Sequence, residues 1–94
     1  MSFNQQSATE RAKKDLAKRL KISIDDIKVS SVSDQEFPNS SLGAGVSGEM
    51  AMQMISSGWE IVLGAEGKSY EYRADKYQIR LYKFNGKNYL VESL

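Results

Sequence analysis

Apolar residues recur at spacing four in the first quarter of the chain and at spacing two in the last third, with a polar, Gly- and Ser-rich stretch between. Ala8, Ala12, Leu16 and Leu20, with Ala17 beside them, form a stripe that predicts an amphipathic helix over about 8–21. Arg11, Lys14, Lys18 and Lys21 take the opposite face, and the bases of the last turns suit the helix dipole. Ser7-Ala8-Thr9-Glu10 fits a capping box, which leaves residues 1–6 as a disordered lead-in. Ser23-Ile24-Asp25-Asp26 repeats the capping pattern on a smaller scale and predicts a single helical turn.

Beyond residue 27 the period changes. Ile27 to Val32 is β-branched and alternates at first, then slips between Val29 and Val32, which predicts a strand with a bulge near Ser30-Ser31. Pro38 ends that strand because it has no N–H for a ladder. A loop over about 38–48 follows, longer than the usual connection of about 4–6 residues. Met50, Met52 and Met54 alternate and predict another strand, broken by Ser56-Ser57-Gly58. Trp59–Leu63, Lys68–Ala74, Gln78–Phe84 and Asn88–Glu92 read as strands joined by short turns, the last turn being the hairpin dipeptide Asn85-Gly86.

One helix followed by a run of strands predicts an α+β domain. The N-terminal helix should pack on one face of a four- to five-stranded antiparallel meander sheet spanning about 27–93. Trp59, Ile61, Leu63, Ile79 and Leu81 are candidates for the layer under the helix, while the aromatics Tyr70, Tyr72, Tyr82, Phe84 and Tyr89 divide between the faces without a clear assignment. Ninety-four residues make one domain with a thin core.

The chain contains neither Cys nor His. Disulfides, the usual zinc, haem and iron–sulfur ligand sets, and the common nucleophile–base pairs are therefore not to be expected. No apolar stretch approaches the length of a membrane span, and the N-terminal stretch lacks the apolar core of a signal peptide. As written the chain reads as cytoplasmic; an exported protein with its leader removed would look the same. Charge is uneven: residues 1–28 carry +3, residues 29–67 carry −5 with no base at all, and residues 68–94 carry +3, a sum of +1.

"AKKDLAKRLKISIDDIKVSSV", then "FPNSSLG", then "GWEIVLGAEGKSYEYRAD" resembles a family of short uncharacterised bacterial domains. That family's pattern is a helix ending D-L-A-x-R-L, an I-x-V-x-S-V strand, an S-L-G loop and a G-[YW]-x-I-V-L…G-x-x-Y-x-Y segment. The resemblance covers roughly residues 12–75. It implies a helix-plus-sheet fold with no assigned activity, export for many members, and a loose similarity to PepSY-type domains, small modules associated with peptidase regulation. Two positions depart from the pattern: Ala44-Gly45 stands where Cys-Pro usually follows S-L-G, and Arg73 stands where a His is common.

Candidate chemistry is sparse. Asp25-Asp26 is explained by capping, and GAGVSG lacks the strand, helix and Lys of a phosphate loop. The basic helix face is interleaved with Glu10 and Asp15, as a solvated face would be. Arg73, Arg80 and Lys83 among the tyrosines are a weak single-stranded RNA signal without an RNP motif, so nucleic acid is not expected.

A non-catalytic protein-interaction or regulatory module, acting on a peptidase in the reading that the resemblance favours, is the first expectation. Pro38, Asn39, Ser40, Ser41, Leu42 and Gly43 on the loop, with Trp59, are its candidate binding residues; Leu42 is either an anchor or a bait. The alternative is a small-ligand or soft-metal domain using thioethers of Met50, Met52 and Met54 with Trp59. No catalytic residue, metal site or cofactor is expected, and the partner is expected to be a protein, with the chain itself a monomer or a weak homodimer through an edge strand.

Overall fold

A computed structural model describes residues 1–94. The helix α1 spans Gln5–Leu20, and a single 3-10 turn, Ile24–Asp26, leads into five strands: β1 (Lys28–Phe37), β2 (Ser56–Ala65), β3 (Lys68–Ala74), β4 (Gln78–Phe84) and β5 (Lys87–Ser93). The strands form one sheet in the order β1-β2-β3-β4-β5, every neighbour antiparallel. The α+β meander with one covering helix is thus as expected, with five strands.

The helix begins three residues earlier than its apolar stripe predicts. Asn4, not Ser7, is the N-cap: its Oδ1 accepts the Ser7 N–H at 2.8 Å, and Ser7 Oγ accepts the Asn4 N–H at 2.9 Å. Ser7 therefore closes the capping box from the third helical position, the role the sequence assigns to Glu10. The lead-in is not loose either, because the Phe3 N–H donates to the Lys76 carbonyl at 2.8 Å and the Phe3 ring packs against the core. At the other end Lys21 adopts a left-handed conformation, φ 57°, and its N–H returns to Ala17 O.

Ala8, Ala12 and Leu16 meet Ile61, Leu63, Tyr72, Ala74, Ile79 and Leu81 in one buried cluster. Small alanines on the helix let it lie close to a sheet carrying the larger side chains. The register Ile61↔Tyr72↔Leu81↔Tyr89 puts these four on the helix side, and Phe84 and Tyr70 follow at a ring separation of 5.9 Å. Tyr72 is the largest fully buried side chain, and its hydroxyl donates to Asp15 Oδ2 on the helix at 2.7 Å. Burial, and then the Asp15 carboxylate, push that phenol well above its ordinary range. Arg19 holds the same carboxylate oxygen at 2.7 Å and stacks over the Tyr89 ring at 4.4 Å.

The predicted bulge is present: the β1–β2 register slips between Val29 and Ser31. Two expectations fail. Ser56-Ser57-Gly58 does not break a strand but opens β2, paired with Phe37, Glu36 and Gln35. Gly58 is required there because a Cβ would run into the Ala74 carbonyl of β3. The alternating methionines, conversely, form no strand. Met50–Met54 is irregular, and its side chains are exposed instead of lining a core.

Gly58→Ala should cost about 1–3 kcal/mol of stability by forcing β2 and β3 apart. Thermal unfolding would measure it; an unchanged midpoint would contradict this account of the close approach.

Candidate functional site

The sheet's second face is polar. Glu71 and Arg73 of β3 and Gln78, Arg80 and Tyr82 of β4 alternate with the core residues and point away from the helix. No second helix covers them. The segment between β1 and β2 does so instead, and its backbone supplies what those side chains need.

Gln78 Nε2 donates to the Ser40 carbonyl at 2.7 Å, Arg73 Nη1 to the Leu42 carbonyl at 3.0 Å, Arg80 Nη1 to the Ala44 carbonyl at 3.1 Å, and Asn88 Nδ2 to the Gly45 carbonyl at 2.8 Å. Three strands thus grip one stretch of loop. Arg80, only 3% exposed, also forms a two-pronged pair with Glu49, Nη1 to Oε1 at 2.7 Å and Nη2 to Oε2 at 2.5 Å, while its Nε bonds Gln78. Arg73 stacks over the Tyr82 ring at 3.7 Å and lies 5.6 Å from that of Phe37.

The loop is shaped to be held. Asn39 Oδ1 accepts the N–H groups of Ser41 and Gly43 at 3.0 and 3.1 Å, so one side chain caps the turn. Leu42 and Gly43 both have positive φ, 57° and 67°, which turns successive carbonyls toward the arginines. A side chain at Gly43 would also meet Arg73 Nη1. Ser41, Leu42 and Ala44 are buried here, with Phe37, in a small layer separate from the helix-side core.

These positions sort the predicted site residues. Leu42 is an anchor and not a bait, Ser41 is buried beside it, and Asn39 and Gly43 serve the turn. Pro38 is exposed, and Ser40 is half-buried. Ser40 ties the loop to the methionine segment: its N–H donates to the Met52 carbonyl at 3.0 Å and its Oγ accepts the Met52 N–H at 2.7 Å. Trp59 does not join them. It packs on the helix-side core, across the sheet from the loop. The Met–Trp site considered from the sequence is therefore not assembled, and its premise of three thioethers on one strand face falls with the strand. The Tyr/Arg sheet face is likewise covered, with Arg73 and Arg80 committed to loop carbonyls and carboxylates.

Sequence reasoning missed two features. The first is the Arg80–Glu49 clasp, whose only trace in the sequence is a lone acid in a polar loop and a base at an alternate strand position. The second is the surface beyond it. Met50 is 95% exposed, Met52 67%, Met54 51%, Ile55 67% and Tyr77 63%. Met54, Ile55 and Tyr77 wall an open groove of about 480 Å³ completed by Ser40, Ser56, Ser57, Asp75, Lys76 and Gln78.

Residues 9–82 match the family described as Domain of unknown function (DUF8738). The chain belongs to that family. Neither the comparison with curated proteins nor that with solved structures found a match. The DUF8738 match includes α1 from Thr9 onward, the clasped loop and β1 to β3, and runs into β4 as far as Arg80 and Tyr82, so both halves of the clasp fall inside the family's extent. No helix of this DUF8738 domain is long and apolar enough to cross a membrane.

The pair with Arg80 holds the Glu49 carboxyl down at about 2, against 4.5 ordinarily, with the Val46 N–H assisting and burial opposing. Between those values the unfolded chain binds the proton and the folded chain does not. The stability that Glu49 contributes is therefore complete above about pH 4.5 and is lost as pH falls toward 2. Glu49→Gln should lower stability at neutral pH by about 3 kcal/mol, because it leaves a buried guanidinium without its anion. It should also flatten the acid limb of the stability curve. Denaturant unfolding across that pH range would check both, and an acid limb identical to that of the parent would rule out the assignment. Leu42→Ala should cost about 2–4 kcal/mol and raise amide exchange across 39–49, with the helix protected as before.

Proposed function

We propose that this domain is a non-catalytic protein-binding module, and that the segment from Gly45 to Ile55, rather than the buried centre of the loop, meets the partner. The observation that carries this is the run of exposed large apolar side chains, Met50, Met52, Met54 and Ile55, beside Tyr77. Clustered apolar exposure of this kind is a mark of interaction surfaces. Methionine suits such a surface because its unbranched thioether adapts to irregular partners.

The clasp explains how a segment without secondary structure can be presented. Asn88 holds the Gly45 carbonyl, Arg80 holds Glu49 and the Ala44 carbonyl just before the segment, Ser40 holds Met52, and β2 begins at Ser56. Binding then orders fewer residues than a free loop would, which lowers its entropic cost.

A non-catalytic role is supported by the disposition of the acids. Glu49 is paired with Arg80, Asp15 with Arg19 and Tyr72, Glu71 with Arg73, and Glu92 with Arg11. These four carboxylates are committed to structural pairs and are not free to act as an acid or base. The resemblance to PepSY-type modules makes a peptidase the first class of partner to test.

A photo-crosslinking residue in place of Met52 should capture a discrete protein partner in the cells the gene comes from. The same residue in place of Lys14, on the far face of α1, should not. Ser at Met50 and Met54 together should abolish the Met52 adduct while leaving the fold intact. Identical adducts from both positions, or an adduct indifferent to the Ser replacements, would dispose of this surface as the binding site.

A further inference from the structure

We propose that the outer edge of β1 takes up an extended peptide segment carrying Lys or Arg at alternate positions, which adds to the sheet as a sixth strand. This surface adjoins the groove beside the methionine segment at Ser57 and Lys76 but does not depend on the reading above.

β1 is an end strand, ten residues long, with β2 as its only neighbour. No backbone group of Lys28–Phe37 takes part in any backbone hydrogen bond outside the ladder, and the one side-chain contact is from Gln35 Nε2 to the adjacent Glu36 carbonyl at 3.2 Å. Half of its N–H and C=O groups therefore face solvent. The helix does not reach over it: only Val32 is half-buried and only Phe37 buried, the latter under the loop. From Ser31 to Phe37 the pairing with β2 runs without a register break, so this edge is regular. The opposite edge is different, since the β4–β5 pairing is interrupted by two register shifts. A long, regular, uncovered edge is what proteins usually disrupt, and what peptide-binding sheets keep.

Charge selects the occupant. Asp34 and Glu36 are opposite Trp59 and Ser57 in the register, so both project on the side of the sheet where the half-buried Trp59 ring lies. Neither carboxylate belongs to an ion pair within the chain. With Gln35, Ser57, Gly58, Trp59 and Lys76 they border an open cleft of about 350 Å³ in which Lys76 is the single base. A strand laid along β1 would set its alternate side chains directly across from Asp34 and Glu36, where opposite charges are favourable and like charges are not. A second copy of the chain fits poorly: the register that pairs the whole of Ser31–Phe37 with itself sets Asp34 against Asp34 and Val32 against Glu36. The basic peptide has no such conflict, and its cationic heads gain the exposed rim of the Trp59 ring.

The probes are four capped peptides of about eight residues: alternating Thr-Lys, alternating Thr-Glu, and two versions of Thr-Lys with alternate backbone nitrogens methylated, one in each phase. Titrated into the intact protein and followed by amide and indole NMR shifts, the Thr-Lys peptide should bind with shifts concentrated on residues 31–37 and Trp59. The Thr-Glu peptide and one of the two methylated phases should bind at least about tenfold more weakly, a factor equivalent to about 1.4 kcal/mol. D34K/E36K alters two exposed side chains, should keep the parent spectrum elsewhere, and should reverse the preference between the Lys and Glu peptides. Ser at Met50 and Met54 should leave the titration unchanged. Equal binding by both methylated phases and the parent peptide would show charge attraction without strand addition and overturn the proposal. So would shifts centred away from β1, the absence of shifts at about 1 mM peptide, or self-association of the protein that protects the β1 amides.

Discussion

Arg80 is the group on which the second half of this fold depends. Its guanidinium is almost wholly removed from water, yet it is never without a partner: Glu49 takes two of its N–H groups, the Ala44 carbonyl shares one, and Gln78 takes the Nε. A buried cation is tolerable only when so matched, and the match here comes from a segment thirty-odd residues away in sequence. The charge therefore dictates where that segment must lie. Arg73 repeats the arrangement on the neighbouring strand, with Glu71, the Leu42 carbonyl and the Tyr82 ring around it.

A chain of this length cannot place a full hydrophobic layer on both sides of a sheet. It places one under the helix, where Ala8, Ala12 and Leu16 allow close approach to Tyr72, Ile61 and Leu81. The other side is closed by polar clasping around the few apolar side chains Phe37, Leu42 and Ala44. The polar layer relies on geometry more than on area: positive φ at Leu42 and Gly43, and the Asn39 side chain across the turn, aim the carbonyls that the arginines require. The DUF8738 match over residues 9–82 takes in the Arg80–Glu49 pair, the buried loop residues and most, though not all, of the helix-side core.

The elements whose apolar spacing reports burial were legible in the sequence. The Ala/Leu stripe, the β2 to β5 alternation, the Asn85-Gly86 hairpin and the bulge near Ser30 correspond to real features because each is governed by local geometry and one buried face. Met50, Met52 and Met54 show the limit. Their period of two is the same signal, but no strand edge is free on β2 to pair with, since β1 already occupies it. Gly58 shows the converse, a supposed breaker that is needed where two backbones nearly touch. Of the candidate site, the loop lies where the sequence puts it, but Ser41 and Leu42 face inward, which settles Leu42 as an anchor, and the exposed apolar run begins beyond the loop at Met50.

By itself the sequence determined the helix, the run of antiparallel strands after it, and the lack of any imidazole or thiol, because periodicity and composition are properties of neighbours along the chain. Only the tertiary structure decided which side chains of the loop are buried, that Trp59 packs on the helix-side core while the methionines stay exposed, and that β1 is left with an open edge. The placing of the loop depends on Arg80 finding Glu49, and a pairing between distant charges leaves no periodic trace in the residues that make it; the side Trp59 takes and the open edge of β1 follow from the order and register in which the strands pair.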